Sequence, residues 1–492
     1  MSFPALKTCC AAVGIALLAV APAYAQWSNN PATNLAIADA VGAQNNPHVV
    51  PISDGGFYVS WYDAAETGFD VRLQRLDADG KELWGHDGVL VADRDFQWVQ
   101  DYGLTVDSMG RAMLAYRQKD ANGVPQVEVT EVNQDGSMAW DPAHATLTSY
   151  PGPDGANRPM IAGTIASMAF VAWMGPQGGD GSIYLQRINA YAFPQWSQPK
   201  AETPPSGANY LADLRKANGS TGVILSWSAQ LGQYDRELWT QRYSYAGAPE
   251  WNGGAPVKVY DGSDGEAMQY GYFPRFTLDA SGGAVFTWYT VGLNAATVRV
   301  QHVDSTGASA FAQNGVRVTT DTTRLHGFPA GTYDSGTGNI YALWQDADAS
   351  SQSQYTLYAQ QIDSSGTLMW GNEGKVLVPT SGTELSQPVA MVTDGGDMLA
   401  AWASGTAPAA MTVHATRLGA VDGAAVWMPG VVDIGTGPRT AGRLQGATSS
   451  QGFTAFVWTS ASSSGQDDIV AQNLRPDGQL GSDTIFKNGF DG

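Results

Sequence analysis

The groups able to do acid–base chemistry in this 492-residue chain are few. Six histidines are scattered along it without metal-ligand spacing, and neither a Gly-x-Ser-x-Gly elbow nor a phosphate-binding loop occurs. His326 and Tyr272 are the candidate proton acceptors, and Arg324 or Arg158 the candidate groups to neutralise a uronate carboxylate. Glu266, Asp101 and Glu384 are carboxylates able to meet across a shared opening, as glycoside hydrolysis requires. That set would suit a polysaccharide lyase or a glycoside hydrolase. A second set suits binding without turnover. Trp98, Tyr150, Tyr210, Tyr270, Tyr272 and Phe328 stand among Arg94, Asn157, Arg158, Glu266, Arg324 and His326, in segments that differ from one another. Flat apolar faces interleaved with polar groups are what a sugar polymer or a peptide needs. The expected function is therefore a binding module for an extracellular glycan or protein, with the polysaccharide-degrading enzyme as the alternative.

Acidic turns raise the question of calcium. Asp77, Asp79 and Asp135 resemble fragments of Asp-x-Asp-x-Asp-Gly loops, but no copy has the closing Glu, and a β-turn with a left-handed Gly explains them. The denser stretch Asp261 to Glu266 reads as a solvated loop, with a cation site as its alternative. No metal and no cofactor are expected.

Composition narrows the partners and the scaffold. With 26 Lys+Arg against 46 Asp+Glu the net charge is −20, which excludes a basic nucleic-acid-binding surface. Charged residues are only 15%, while 58 Gly and 16 Trp point to a turn-rich, aromatic-cored β protein. Lys7, the apolar run Ala11 to Ala21 and Ala23-Tyr24-Ala25 before Gln26 form a secretory signal peptide over residues 1–25, so the protein is expected to be secreted or periplasmic. Cys9 and Cys10 lie in that segment, which leaves the mature chain without thiols. No later stretch is long and apolar enough for a membrane span. A monomer is expected.

These residues must be positioned by a repeat. An apolar-x-apolar-x-aromatic motif recurs at Trp61, Tyr116, Trp173, Trp227, Trp288, Trp344, Trp402 and Trp458, at intervals of 54 to 61 residues. A second ladder runs Trp27, Trp84, Trp140, Trp196, Trp251, Phe311, Trp370 and Trp427. Each unit divides into four short strands separated by turn residues, which predicts an all-β, eight-bladed β-propeller over residues 26–480. Pro47, Pro159, Pro274, Pro329 and Pro388, 14 or 15 residues before a ladder Trp, are read as strand starts. The second ladder begins before any other strand and has no member after Trp427. The segment Trp27 to Ile37 should therefore supply the outer strand of the last blade, whose other strands come from about Arg443 to Leu474, and close the ring. Gln74, Gln186, Gln241, Gln301, Gln360 and Gln472, with Thr130 and Thr416, recur at one rank and read as structure.

Two resemblances follow from the repeat. The unit Leu76-Asp77-Ala78-Asp79-Gly80-Lys81-Glu82-Leu83-Trp84-Gly85 resembles the tryptophan-docking repeat of quinoprotein dehydrogenases, eight-bladed propellers that carry pyrroloquinoline quinone. Its Asp-to-Trp spacing is one residue shorter, and the mature chain lacks the vicinal cysteine pair found in many members, so the likeness covers the blades but not the chemistry, and a quinone-dependent dehydrogenase stands as the third alternative for function. The longer unit Leu73 to Val89 looks like repeats in uncharacterised secreted bacterial propellers, which implies fold and compartment but no activity. Residues 481–492 form a tail whose Ile485-Phe486 and Gly489-Phe490-Asp491 resemble sorting endings of exported proteins.

Overall fold

The computed structural model describes residues 26–482, except short stretches at 98–101, 150–156, 166–167, 176–180, 205, 233, 294, 406–410, 440 and 462–465. The expected signal peptide, the tail from 483 onward, Trp98, Asp101 and Tyr150 lie outside the described residues. Eight antiparallel sheets form an eight-bladed propeller. In blade 1 the strands are Gln44–Pro51, Phe57–Ala64, Phe69–Leu76 and Val89–Ala92, counted outward from the channel, and the other blades repeat this order. The second strand of each blade is buried along nearly its whole length, as in Phe57–Ala64 and Thr454–Ala461, because neighbouring blades cover both of its faces. That burial explains its near-continuous apolar run.

The ring closes through the N-terminal segment as expected, but the strand is Leu35–Ala38 rather than the whole of Trp27 to Ile37, since residues 27–34 are turn and coil. Leu35–Ala38 pairs antiparallel with Asp467–Leu474, with Leu35 opposite Ala471, and completes blade 8 from the far end of the chain. Among the described residues, no helix is long and apolar enough to cross a membrane.

The two aromatic ladders have different work. Trp61, Trp173, Trp288 and Trp344 are at most 1% exposed and fill the space between blades. The second ladder docks each blade onto the next. The Trp27 indole lies over Gly80, Trp84 over Gly136, Trp196 over Gly247, Trp251 over Gly307, Trp370 over Gly423 and Trp427 over Gly478. Trp27 Nε1 also donates to the Ala78 carbonyl at 2.9 Å, so one residue locks blade 8 to blade 1. The glutamines tie the third strand to this ladder. Gln241 Oε1 accepts from the Trp251 amide at 3.0 Å, and Gln301 and Gln360 do the same for Phe311 and Trp370, each ten residues on.

Two expectations need correction. Four of the five prolines, Pro47, Pro159, Pro329 and Pro388, lie inside the first strand rather than at its start, and Pro274 stands two residues before Phe276–Leu278. Pro47 lies inside Gln44–Pro51, and the ladder skips from Asn45 to His48, so the proline sits in a β-bulge where no N–H is needed. The fourth strand is shorter than the expected Leu83 to Val91. Val89–Ala92 forms the strand, and before it Glu82 makes only an isolated bridge to Leu76 and the Leu83 amide donates to the Arg75 carbonyl, because the chain between Leu83 and Gly88 turns to present Trp84 to blade 2.

Candidate functional site

The bulge recurs in the first strand of most blades, between Asn157 and Met160, Leu211 and Asp213, Gly327 and Ala330, Ser386 and Val389, and Gly442 and Gln445. At the bulge Asn46, Arg158, Phe328 and Arg443 adopt left-handed φ values of 56, 48, 49 and 53°. Non-glycine residues hold that conformation only where surrounding structure imposes it. The first strands line a central cavity of about 640 Å³ whose walls include Asn46, Arg158, Arg215, Arg275 and Arg443.

Blade 5 breaks the pattern. Its first strand is split into Ala267–Met268 and Phe276–Leu278, and residues 269–275 leave the ladder altogether. The loop carries Tyr270, Tyr272, Phe273 and Arg275, and Tyr272, Phe273 and Arg275 line the cavity.

An aromatic rim grows from this loop. The Arg158 guanidinium lies 4.0 Å from the Phe273 ring, Phe273 faces Tyr210 at 6.5 Å, and Tyr210 meets Tyr270 edge-on at 6.3 Å. On the other side Tyr272 packs on Tyr289 at 4.4 Å, and Tyr289 on Phe328 at 5.6 Å. Tyr270 is 61% and Phe328 59% exposed. Burial raises the hydroxyl pKa values of Tyr210, Tyr272 and Tyr289, which keeps all three neutral.

His326, also predicted from sequence, lies beside Phe328 in a cleft of about 470 Å³ between blades 5 and 6, with Tyr289, Gln345 and Asp346. The ring is 3% exposed. Its Nε2 sits 3.2 Å from the Asp321 carbonyl, and Nδ1 has no hydrogen-bond partner among the described residues. Burial holds the imidazole below its usual pKa, so it is neutral near pH 7. Arg324 pairs with buried Asp346 at 2.9 Å, which raises its own pKa further.

Other candidates are held by the protein itself. Glu266 accepts from Thr290 and Thr297 and meets Arg299 and Arg317, each at 3.4 Å, while Asp264 pairs with Arg299. The stretch read as a solvated loop is thus an ion-paired corner. Arg94 is 1% exposed, donates to the Arg117 carbonyl at 2.7 Å and covers the Tyr62 ring at 4.5 Å. In the acidic turns, Asp77 Oδ1 accepts from the amides of Asp79 and Lys81. Glu384 opens the first strand of blade 7 and is exposed.

Sequence reasoning missed Arg215, Arg275 and Arg443, which belong to no motif, and Tyr234, 79% exposed in the second turn of blade 4. It also missed two polar clusters. Asp39, His86 and Asp87 bring ligand-type atoms within 4.8 Å of one another. Burial opposes a charge on His86, but hydrogen bonds to Asp39 and Glu82 outweigh it and push its pKa up to about 9. In blade 7, Ser404 Oγ meets His414 Nε2 at 2.9 Å and His414 Nδ1 meets Asp433 at 2.7 Å, the order of a hydrolase triad. The same register in blade 1 holds the Asp63–Arg72 ion pair, which identifies the strip as a strand-to-strand tie.

No family model matches the chain, and no curated protein matches it in sequence. Among solved structures it is similar to a eukaryotic initiation factor (10% identity over 91% of this chain and 89% of that one, TM-score 0.45). It is similar to a polysaccharide lyase described as an ulvan lyase (12%, 84% and 96%, TM-score 0.45). A puromycin hydrolase is a third (13%, 87% and 62%, TM-score 0.46). Likeness at this depth carries no argument about what this chain does.

Proposed function

We propose that the protein is an exported binding module that holds an extracellular glycan, or a protein segment, against the aromatic rim of one mouth of its channel. The carrying observation is the exposure of Tyr270 and Phe328, each backed by further rings, in a molecule that buries most of its ladder tryptophans. Rings presented face-outward on a rigid support bind sugars or peptides without an ordering cost. A panel of immobilised neutral and acidic polysaccharides tests this. The mature protein is expected to be retained on at least one, and Tyr270→Ala with Phe328→Ala to weaken retention at least tenfold with an unchanged melting temperature. Retention that survives the double substitution overturns the reading.

One observation favours the enzyme alternative, the neutral, buried His326 with an unpartnered Nδ1 beside Tyr289 and Arg324. Such an imidazole can accept a proton. Appearance of new reducing ends or unsaturated products, abolished in His326→Ala, would replace binding with turnover.

A further inference from the structure

We infer that the cleft between blades 5 and 6 is a subsite for one uncharged sugar residue, so that the polymer held at the rim is a neutral polysaccharide. This deepens the proposed function and rests on it. The cleft, about 470 Å³, opens beside Phe328, and its polar wall carries Gln269, Tyr289, His326, Asp346 and Gln352. No lysine or arginine is among the described residues of that wall. His326 and Asp346, 3% and 1% exposed, stand opposite each other on the first and second strands of blade 6. Neither has its hydrogen-bonding capacity filled. The contact of His326 Nε2 with the Asp321 carbonyl, at 3.2 Å, puts the ring proton on that nitrogen, which leaves Nδ1 an acceptor without a partner among the described residues. Asp346 is ion-paired through Oδ2 to Arg324 Nε at 2.9 Å, while its Oδ1 has no hydrogen-bond partner among the described residues. The buried part of the wall is therefore a pair of acceptors, and such atoms carry a desolvation cost until a ligand supplies the donors.

The ligand's chemistry follows from those acceptors. Neighbouring hydroxyls of a sugar ring offer two O–H donors without a charge, and the apolar face of the same ring can lie on Phe328, which Tyr289 backs at 5.6 Å. A uronate or sulfate group brings only acceptor oxygens and a negative charge to a wall that already holds the Asp346 carboxylate, and the net charge of −20 adds to the repulsion. Arg324, the residue able to neutralise such a group, is held by Asp346 and the Gln354 carbonyl and does not line the cleft. A peptide backbone alternates single donors with single acceptors and fills a pair of acceptors poorly. The opening has a local cause. The bulge between Gly327 and Ala330 turns Phe328 outward with φ 49°, and the small Gly292, Ala295, Ala296 and Ala349 keep the surrounding wall low.

Titration calorimetry of the mature protein with dextran, galactan and mannan, and with dextran sulfate, polygalacturonate and chitosan, tests the inference. At least one neutral polymer is expected to bind about tenfold more tightly than every charged one, with little dependence on salt. His326→Gln keeps a donor toward the Asp321 carbonyl but puts no acceptor in place of Nδ1, and should lower that affinity about five- to tenfold. Ala349→Trp, at an exposed position of the cleft wall, should abolish it by filling the entrance. Both variants should keep the melting temperature of the parent, which separates lost recognition from lost folding. Tighter binding of a charged polymer than of every neutral one overturns the inference, with dextran sulfate or polygalacturonate marking an acidic ligand and chitosan a cationic one. Neutral binding that Tyr270→Ala with Phe328→Ala weakens, but that both cleft variants leave unchanged, overturns the cleft assignment and leaves the rim reading standing. Binding of none of these polymers overturns the polysaccharide assignment. Binding indifferent to the rim and the cleft substitutions alike overturns both readings.

Discussion

At the scale of single residues, the burial of one carboxyl gives a measurable consequence. Glu202, in the outer strand of blade 3, accepts from Tyr243 Oη of blade 4, and burial pushes its pKa up to about 7 from 4.5. A carboxyl with a raised native pKa binds more protons folded than unfolded between those values, so stability falls as pH rises from 4.5 through 7 and levels off above. The full span is at most about 3 kcal/mol. Glu202→Gln should flatten the pH dependence of the denaturation midpoint across that window, and an unchanged slope would show that the blade contact does not titrate. No motif announced this residue, because its hydrogen-bond partner Tyr243 stands 41 positions away in the next blade. The channel arginines were hidden for a related reason, since only the closed ring brings four blades' first strands together. One signal was nonetheless present. Asn46-Pro47, Arg158-Pro159, Phe273-Pro274 and Phe328-Pro329 put the proline 14 or 15 residues before the ladder Trp, and the residue before each proline sits at a bulge or loop that leaves the ladder.

At the scale of the element, the docking turn is the unit that the sequence reported most faithfully. Spacing set an Asp-x-x-Gly-like turn just before an aromatic of the second ladder in most copies, but the structure seats each such turn against the aromatic of the preceding blade instead. The turn glycine has positive φ and lies under the indole of the preceding blade, as Gly80 does at 81° beneath Trp27. A Cβ there would come within 2.6 Å of that ring, so Gly80→Ala should cost about 2–4 kcal/mol through backbone strain and overpacking together. Blade 3 carries Ala192 at this place with φ 65°. Ala192→Gly is therefore expected to stabilise the protein by about 0.5–1 kcal/mol, read as a higher thermal midpoint. The interrupted first strand of blade 5 was less legible. The 61-residue interval from Trp227 to Trp288, the longest in its ladder, marked an insertion, but nothing in its length said that the extra residues would leave the inner strand rather than lengthen an outer loop.

At the scale of the molecule, ring closure depends on four residues, Leu35–Ala38, pairing with a strand more than four hundred positions later. Their removal would expose the third strand of blade 8 as an open edge beside blade 1. A variant lacking residues 26–38 should self-associate in sedimentation velocity and lose much of its cooperativity of unfolding, and a monomeric, fully cooperative truncation would show that the Trp27 dock is dispensable. Blade count and closure were readable because eight copies of one pattern average out local exceptions. The occupant of the mouth was not, because function lies where the copies differ. The clasp also fixes how the ring stands when it is held by its ends. Leu35 enters and Leu474 leaves on the side of the third-to-fourth strand turns, away from the rim that bears Tyr270 and Phe328. A tether joined at Trp27 or at Leu480, whether a sensor-chip linkage or a fused partner, grips the underside of the disc and turns its arginine-lined well toward the open solution.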